Sequence, residues 1–163
     1  MSVVSLRDYS TSRTPRPDRQ TLASGSSVLD KLDSNGTIAV CIDPQDVGKV
    51  WFRVDHFIRE AVERVGLTPF DEVADNLVHG DALLWLVWDG HTVQGAGVTE
   101  LTGDVCTLVA YGGRIDDIHL IETLENYARD EKCSTFRILG RKGWARVLKD
   151  YSQPYVVLEK ELN

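Results

Sequence analysis

The sequence contains few residues of the types that would assign a protein class directly. Its 163 residues include 3 cysteines, 5 prolines and 1 methionine. The three cysteines, Cys41, Cys106 and Cys133, are odd in number, lie far apart and include no CxxC pair. This spacing disfavours a disulfide framework and a cysteine-based zinc site. We therefore expect reduced thiols that act as small apolar side chains, in a protein made in a reducing cytoplasm.

Long apolar runs and an excess of positive charge are also absent. Lysine and arginine number 18 against 25 aspartates and glutamates, which gives a net charge of −7. A general nucleic-acid or anionic-membrane binder needs a basic face, so we expect neither partner. No apolar run approaches the roughly 20 residues that cross a bilayer. The start of the chain also lacks the apolar segment of a secretory signal, and we expect one ordinary soluble domain.

The first 36 residues differ in composition from the rest. Serine, threonine, proline, arginine, aspartate and glycine dominate there, and such a stretch buries too little apolar surface to order itself alone. We predict an extended N-terminal arm over residues 1–36 and a single domain over residues 37–163. The predicted partners of the arm are other protein subunits. Its candidate contact residues are Arg7, Arg13, Arg16, Arg19, Leu22, Val28, Leu29 and Leu32.

The remainder of the chain alternates between strand and helix patterns. Asp43-Pro44 is a helix start signal, and Asp89-Gly90 is a two-residue hairpin signal. The predicted strands cover residues 37–42, 82–88, 91–101, 104–111, 135–139 and 155–162. The predicted helices cover residues 47–65, 68–78, 116–131 and 143–151. These patterns predict an α/β (α+β) protein with the element order β-α-α-β-β-β-α-β-α-β.

The junction at residues 112–116 joins a predicted strand through Gly112-Gly113-Arg114 to a predicted helix. Such a junction can bind a phosphorylated cofactor, because the N–H groups of the first helical turn attract anions. Here that turn carries Asp116 and Asp117, whose carboxylates can cap the same N–H groups. The sequence thus predicts the architecture of a cofactor site that the protein itself already fills.

The remaining polar residues give weak catalytic signals. Glu100, on the third predicted strand, is the best-placed carboxylate for a general base, although a solvated strand-end glutamate is the commoner case. Two helix-spaced pairs could each supply two metal ligands but have no third, so we expect no bound metal. These pairs are His119 with Glu122 and His56 with Glu60.

The element order resembles that of the GNAT superfamily of N-acetyltransferases. The chain also looks like small GNAT-like proteins of bacteriophages and prophages. The residues that carry this resemblance are 127–133, 140–148 with the block Gly-Arg-Lys-Gly-Trp-Ala-Arg, and 157–162. It covers residues 37–162 and implies a mixed, largely antiparallel sheet flanked by helices.

The resemblance also implies where an active member would bind acetyl-CoA. Its pantetheine arm would pair with the fourth strand, at the implied residues Val109, Ala110, Gly112, Gly113 and Arg114. The family's pyrophosphate loop has the pattern Gln/Arg-x-x-Gly-x-Gly/Ala, and this sequence does not match it in either of two alignments. If the pattern starts at Gly112, Ile115 and Asp117 stand in place of its small residues. If it starts at Arg114, Asp117 and His119 do so. Active members of the family often carry a tyrosine in the last helix. The matching residues here, 147–149, include no tyrosine, and Tyr151 lies beyond them.

From these departures we predict a non-catalytic GNAT-like protein without a cofactor. The main hypothesis is a phage virion or tail-associated structural protein, docked to other subunits by its arm. Its expected location is the bacterial host cytoplasm during synthesis and then the mature virion. The alternative is an acetyl-CoA-dependent N-acetyltransferase.

Overall fold

The computed structural model describes residues 36–114, 118–140, 143–155, 157–158 and 160, with the side chains of 118 and 119 left aside. The predicted arm, apart from Gly36, lies outside these residues. So do its candidate contacts Arg7, Arg13, Arg16, Arg19, Leu22, Val28, Leu29 and Leu32, and the predicted caps Asp116 and Asp117. No helix in the described part of the chain is long and apolar enough to span a membrane.

A five-stranded sheet forms the centre of the molecule, with the strands in sequence order from β1 to β5. The strands are β1 Ile38–Ile42, β2 Ala82–Trp88, β3 Val93–Thr102, β4 Val105–Gly113 and β5 Thr135–Ile138. The first four pair antiparallel with their neighbours, and β5 pairs parallel to β4. The sheet is therefore mixed and largely antiparallel, as predicted.

Among the described residues, four helices flank the sheet: α1 Val47–Val65, α2 Phe70–His79, α3 Ile118–Asp130 and α4 Trp144–Val147. A short 3-10 turn, Pro44–Asp46, precedes α1, and the side chain of Asp43 accepts a hydrogen bond from the Gln45 N–H at 2.9 Å. Gly66 ends α1 in the left-handed conformation, with φ of 70°, and its N–H donates to the Val62 carbonyl. The first cap matches the Asp43-Pro44 start signal of the sequence, and glycine is the residue that most often ends a helix in this way.

The core has two layers, one on each face of the sheet. Alternate residues of β2 supply both layers, because successive strand side chains point to opposite faces. Ala82, Leu84 and Leu86 pack with α1 and α2 on the first face. Leu83, Trp85 and Val87 pack with Leu120, Ile121 and Leu124 of α3, and with Trp144 and Leu148, on the second. Helices α1 and α2 thus lie opposite α3 and α4.

The predicted element order is confirmed except at its last element. The predicted final strand, 155–162, is wrong in its described part, where Tyr155, Val157, Leu158 and Lys160 lie outside any strand. Tyr155, Val157 and Leu158 are 78%, 60% and 90% exposed. Apolar, β-branched composition favours a strand only where a neighbouring strand and a core surface receive it. The last helix is also shorter than predicted, because Leu148 leaves the helical conformation with ψ of 86°.

Candidate functional site

A cleft opens where β4 separates from β5. The two strands pair from Val105↔Thr135 to Leu108↔Ile138, and the Leu139 N–H donates to the Leu108 carbonyl at 2.9 Å. Beyond Leu108, β4 continues beside β3 to Gly113 and no longer pairs with β5. The two parallel strands therefore diverge in the middle of β4.

The divergence begins at a β-bulge. Val98 of β3 lies opposite Ala110, whereas the next residue, Thr99, lies opposite Leu108. Val109 is consequently the extra residue on β4. A bulge bends its strand and increases the local twist, which accounts for the departure of β4 from β5 at this residue.

The walls of the cleft come from both faces of the sheet. Its lining residues are Ala61, Arg64 and Val65 of α1, Leu108, Ala110, Tyr111, Gly112 and Gly113 of β4, Ile138, Leu139 and Gly140 at the end of β5, and Trp144 of α4. The cavity enclosed by these residues measures about 40 Å³. Most of its lining is apolar or glycine, so the cleft offers an apolar surface beside the backbone of β4.

Gly112 and Gly113 allow close backbone contacts at the end of β4. A Cβ on Gly112 would lie 2.0 Å from the carbonyl oxygen of Phe57 in α1. A Cβ on Gly113, which has φ of 127°, would lie 2.5 Å from the Cα of Gly95 in β3. Both glycines therefore have a packing role that the sequence did not indicate. Proximity of this kind depends on the tertiary fold, so no local pattern could have revealed it.

Trp144 covers the cleft from the α4 side. Its indole lies over the backbone of Gly140, where an added Cβ would be 2.6 Å from Trp144 Cδ1. The ring meets that of Tyr111 edge to face, with centroids 5.9 Å apart. The Tyr111 hydroxyl in turn donates to the Arg114 carbonyl at 2.9 Å. These aromatic rings account for the small volume of the cavity.

The structure brings three of the five predicted cofactor residues to the cleft, namely Ala110, Gly112 and Gly113. Val109 is instead buried in the core layer beneath α1. Arg114 is exposed just past the end of β4. The helical wall of the cleft, including Arg64, was not predictable from local patterns, because the contact between α1 and β4 joins residues about fifty positions apart in the chain.

The predicted base, Glu100, and Tyr151 are not among the residues that line the cleft. Glu100 is half-buried and accepts a hydrogen bond from Asn76 Nδ2 at 3.0 Å, and it is not among the residues that line the cleft. The Tyr151 hydroxyl donates to Glu125 Oε1 at 2.5 Å on the α3 side. Burial, reinforced by Glu125, raises the pKa of the Tyr151 phenol. Tyr151 is therefore held by its hydrogen bond to Glu125 and is not among the residues that line the cleft.

The cysteines do not form a reactive centre at neutral pH. Burial, with a smaller effect of Asp43, raises the pKa of the Cys41 thiol to about 12. Burial likewise raises the pKa of the Cys106 thiol to about 12. Both are protonated thiols near pH 7 and poor nucleophiles. Within the described ranges, no group of three or more histidine, cysteine, aspartate or glutamate residues could hold a metal ion.

The fold resembles that of several solved acetyltransferases. One is an aminoglycoside acetyltransferase from an uncultured soil metagenomic sample, in complex with sisomicin. It has a TM-score of 0.58 and 9% identity over 79% of this chain and 98% of that one. The protein has the GNAT acetyltransferase fold. A predicted acetyltransferase from Clostridium acetobutylicum, with acetyl-CoA, also shares the GNAT fold, with a TM-score of 0.51 and 11% identity over 78% of this chain and 96% of that one.

A third structure with the GNAT fold is the ribosomal-protein-alanine N-acetyltransferase of Brucella melitensis biovar Abortus 2308. Its TM-score is 0.52, with 12% identity over 78% of this chain and 99% of that one. No protein-family model matches the chain, and no curated protein matches its sequence. At identities of 9–12%, these structural likenesses show a shared fold and no more.

The comparisons correct the main functional hypothesis. The phage virion or tail-associated structural protein predicted from the sequence is wrong, because the three similar structures described above are acetyltransferases and favour the alternative. The comparisons support the predicted resemblance to the GNAT superfamily at the level of the fold. They do not support the predicted resemblance to phage proteins or the predicted virion location. The expected lack of a cofactor has no support, since one of these structures contains acetyl-CoA.

Proposed function

We propose that the protein is an acetyl-CoA-dependent N-acetyltransferase. The observation that carries this proposal is the divergence of β4 from β5 at the Val109 bulge, in a chain with the GNAT fold. A strand edge binds extended, amide-containing ligands through its backbone N–H and C=O groups. The pantetheine arm of acetyl-CoA is such a ligand. The backbone at Val109 and Ala110 is the part of β4 that would receive it.

The cleft fits the arm in chemistry but is too narrow in this conformation. Its apolar side chains and its strand backbone suit an extended chain with spaced amides. However, a cavity of about 40 Å³ has room for a few water molecules only. Trp144 covers the cleft and is half-buried against the second core layer, but α4, which carries it, has only four residues and none that is fully buried. Binding would therefore displace the indole, and the short helix opposes this movement weakly.

The bound cofactor would supply an activated acetyl thioester. The chain's own contribution begins with the backbone N–H groups at the bulge, which could stabilise negative charge that develops on the acetyl oxygen. Glu100 lies opposite Thr107, two residues before the bulge along β4. Its carboxylate would accept the proton of the acceptor amine through an intervening water. Asn76 orients that carboxylate through its 3.0 Å hydrogen bond.

The test is acetyl transfer by the purified full chain. Acetyl-CoA is incubated with amines of several classes, and both free coenzyme thiol and acetylated amine are measured, the latter by mass spectrometry. We expect enzyme-dependent product, and a loss of about 10²-fold or more in kcat for Glu100→Gln. Glu72→Gln, an exposed carboxylate change in α2, is the matched control. Absence of acetylated product from every amine class would contradict the proposal.

A further inference from the structure

The lining of the cleft, as far as the structure describes it, carries little charge. Among the described residues that line it, Arg64 is the only one with a charged side chain. The others are apolar, aromatic or glycine. A ligand group near this guanidinium gains from a negative charge, and a positively charged group is repelled by it.

Arg64 lies on the side of the sheet away from α3. It belongs to α1, which packs on the face that Leu84 and Leu86 supply, whereas α3 packs on the face of Leu83 and Trp85. Helix N-termini attract phosphate groups, and α3 begins just beyond the end of β4. The proposed function therefore puts the phosphates of acetyl-CoA on the α3 face, in competition with the Asp116 and Asp117 carboxylates that the sequence predicts there. This leaves the α1 face for the acceptor amine.

The guanidinium of Arg64 is available to a ligand. Its Nη2 contacts Glu60 Oε2 at 3.1 Å, and the two side chains are 58% and 61% exposed. Exposed ion pairs of this i,i+4 spacing contribute little stability, because both partners are well solvated. A ligand carboxylate that forms two parallel hydrogen bonds with a guanidinium binds more strongly than such a pair. It can therefore replace Glu60.

Building on the proposed N-acetyltransferase function, we propose that the acceptor is an amine that also carries a carboxylate, and that Arg64 binds this carboxylate. Free amino acids and short peptides with a free C-terminus belong to this class. Polycationic acceptors such as aminoglycosides do not, since they offer no carboxylate to Arg64, the one charged side chain among the described residues that line the cleft. Arg64 is thus a specificity-determining residue on the acceptor side.

The experiment compares matched acceptors with the full-length protein. Each amino acid or short peptide is assayed beside its carboxamide, which differs only in the loss of the negative charge. We expect the wild-type protein to have a lower KM for the carboxylate form. Arg64→Gln should raise that KM by about 10- to 100-fold, with little change in kcat or in the KM of the carboxamide. Arg64→Lys should restore part of the preference, because it keeps the charge and loses the paired geometry.

Two variants of the same helix serve as controls. Arg59→Gln removes an equal charge from a guanidinium that lies 3.8 Å from the Phe70 ring centroid and does not line the cleft. It should leave both KM values unchanged. Glu60→Gln removes the competing carboxylate, and should leave the KM for the carboxylate acceptor equal or lower. Circular dichroism confirms that each variant is folded.

Calorimetry supplies a readout that is independent of turnover. The N-acetylated amino acid, which is the product, should bind the wild-type protein more tightly than its carboxamide and lose this advantage in Arg64→Gln. The affinity for coenzyme A should not change. A loss of coenzyme A affinity in Arg64→Gln, with an unchanged acceptor preference, would instead assign Arg64 to a cofactor phosphate and overturn the inference.

Failure of the inference and failure of the proposed function give different results. If the wild-type protein acetylates carboxylate and carboxamide acceptors equally, and Arg64→Gln changes neither, only the acceptor class is refuted. If it acetylates no amine at all, the proposed function fails and the acceptor class fails with it.

Discussion

At the scale of single residues, Gly112 decides how closely α1 approaches the sheet. Gly112→Ala would place a Cβ 2.0 Å from the Phe57 carbonyl oxygen, so the helix and β4 would have to separate. We expect the free energy of unfolding in urea to fall by about 1–3 kcal/mol, the usual cost of overpacking a core. The cleft would widen as well, since Gly112 is part of its wall.

Gly48 provides the matched control for this substitution. It lies in α1, and a Cβ built on it meets nothing within 4 Å. Gly48→Ala should leave the free energy of unfolding unchanged or raise it by up to about 1 kcal/mol, because alanine is the better helix former. If Gly112→Ala proved as stable as the unaltered protein, the close contact between α1 and β4 would be refuted.

Thiol reactivity tests the burial of the cysteines. The pKa values of Cys41 and Cys106 are raised to about 12, and burial also raises that of Cys133. The reactive thiolate is therefore scarce at pH 8, and Cys41 and Cys106 should react slowly with a thiol reagent until the protein is denatured. In the native protein their rates should keep rising with pH towards 12, because ionisation is incomplete below that value. Fast labelling of Cys106 at pH 8 in the native state would contradict its burial.

At the scale of the elements, the sequence predicted most of the sheet and helices, and the GNAT resemblance implied a cofactor site at the end of β4, but neither predicted the bulge or the helical wall of the cleft. Helix α1 was predictable because Asp43-Pro44, the helical spacing of its apolar residues and Gly66 are all local signals. The Val109 bulge is instead a difference in residue count between two paired strands, so the sequence of either strand alone cannot reveal it. The predicted final strand is wrong for a related reason, because a strand-like composition does not guarantee that a neighbouring strand is there to pair with it.

Helix α4 should move when the cofactor binds. The Trp144 indole fills the space between β4 and Gly140, so acetyl-CoA must displace it and change its fluorescence. We expect titration with acetyl-CoA to alter the intrinsic tryptophan emission, and Trp144→Phe to remove most of this change. Trp88→Phe, at the end of β2 and outside the cleft, should keep it. An equal change in Trp144→Phe and the unaltered protein would rule out Trp144 as the moving group.

At the scale of the whole molecule, the fully buried residues of the two core layers lie between Val47 and Leu148 in the described chain, and Ala39, Cys41, Ile42 and Tyr151 pack against them. The boundary between arm and domain near residue 36 remains a prediction from composition. Deleting residues 1–33 should therefore leave the urea midpoint within experimental error of the full chain and preserve acetyl-CoA binding. A truncated chain that did not fold cooperatively would show that the arm belongs to the folded unit.

The central claim is that this GNAT fold binds acetyl-CoA in the cleft between β4 and β5. The most direct measurement is a calorimetric titration of the full-length protein with acetyl-CoA, with free acetate as the control ligand. We predict saturable binding of acetyl-CoA in the micromolar range, and no binding of acetate. Absence of binding at millimolar acetyl-CoA would contradict the account, and would mean that the divergent strands and the Val109 bulge persist in a protein that does not use this cofactor.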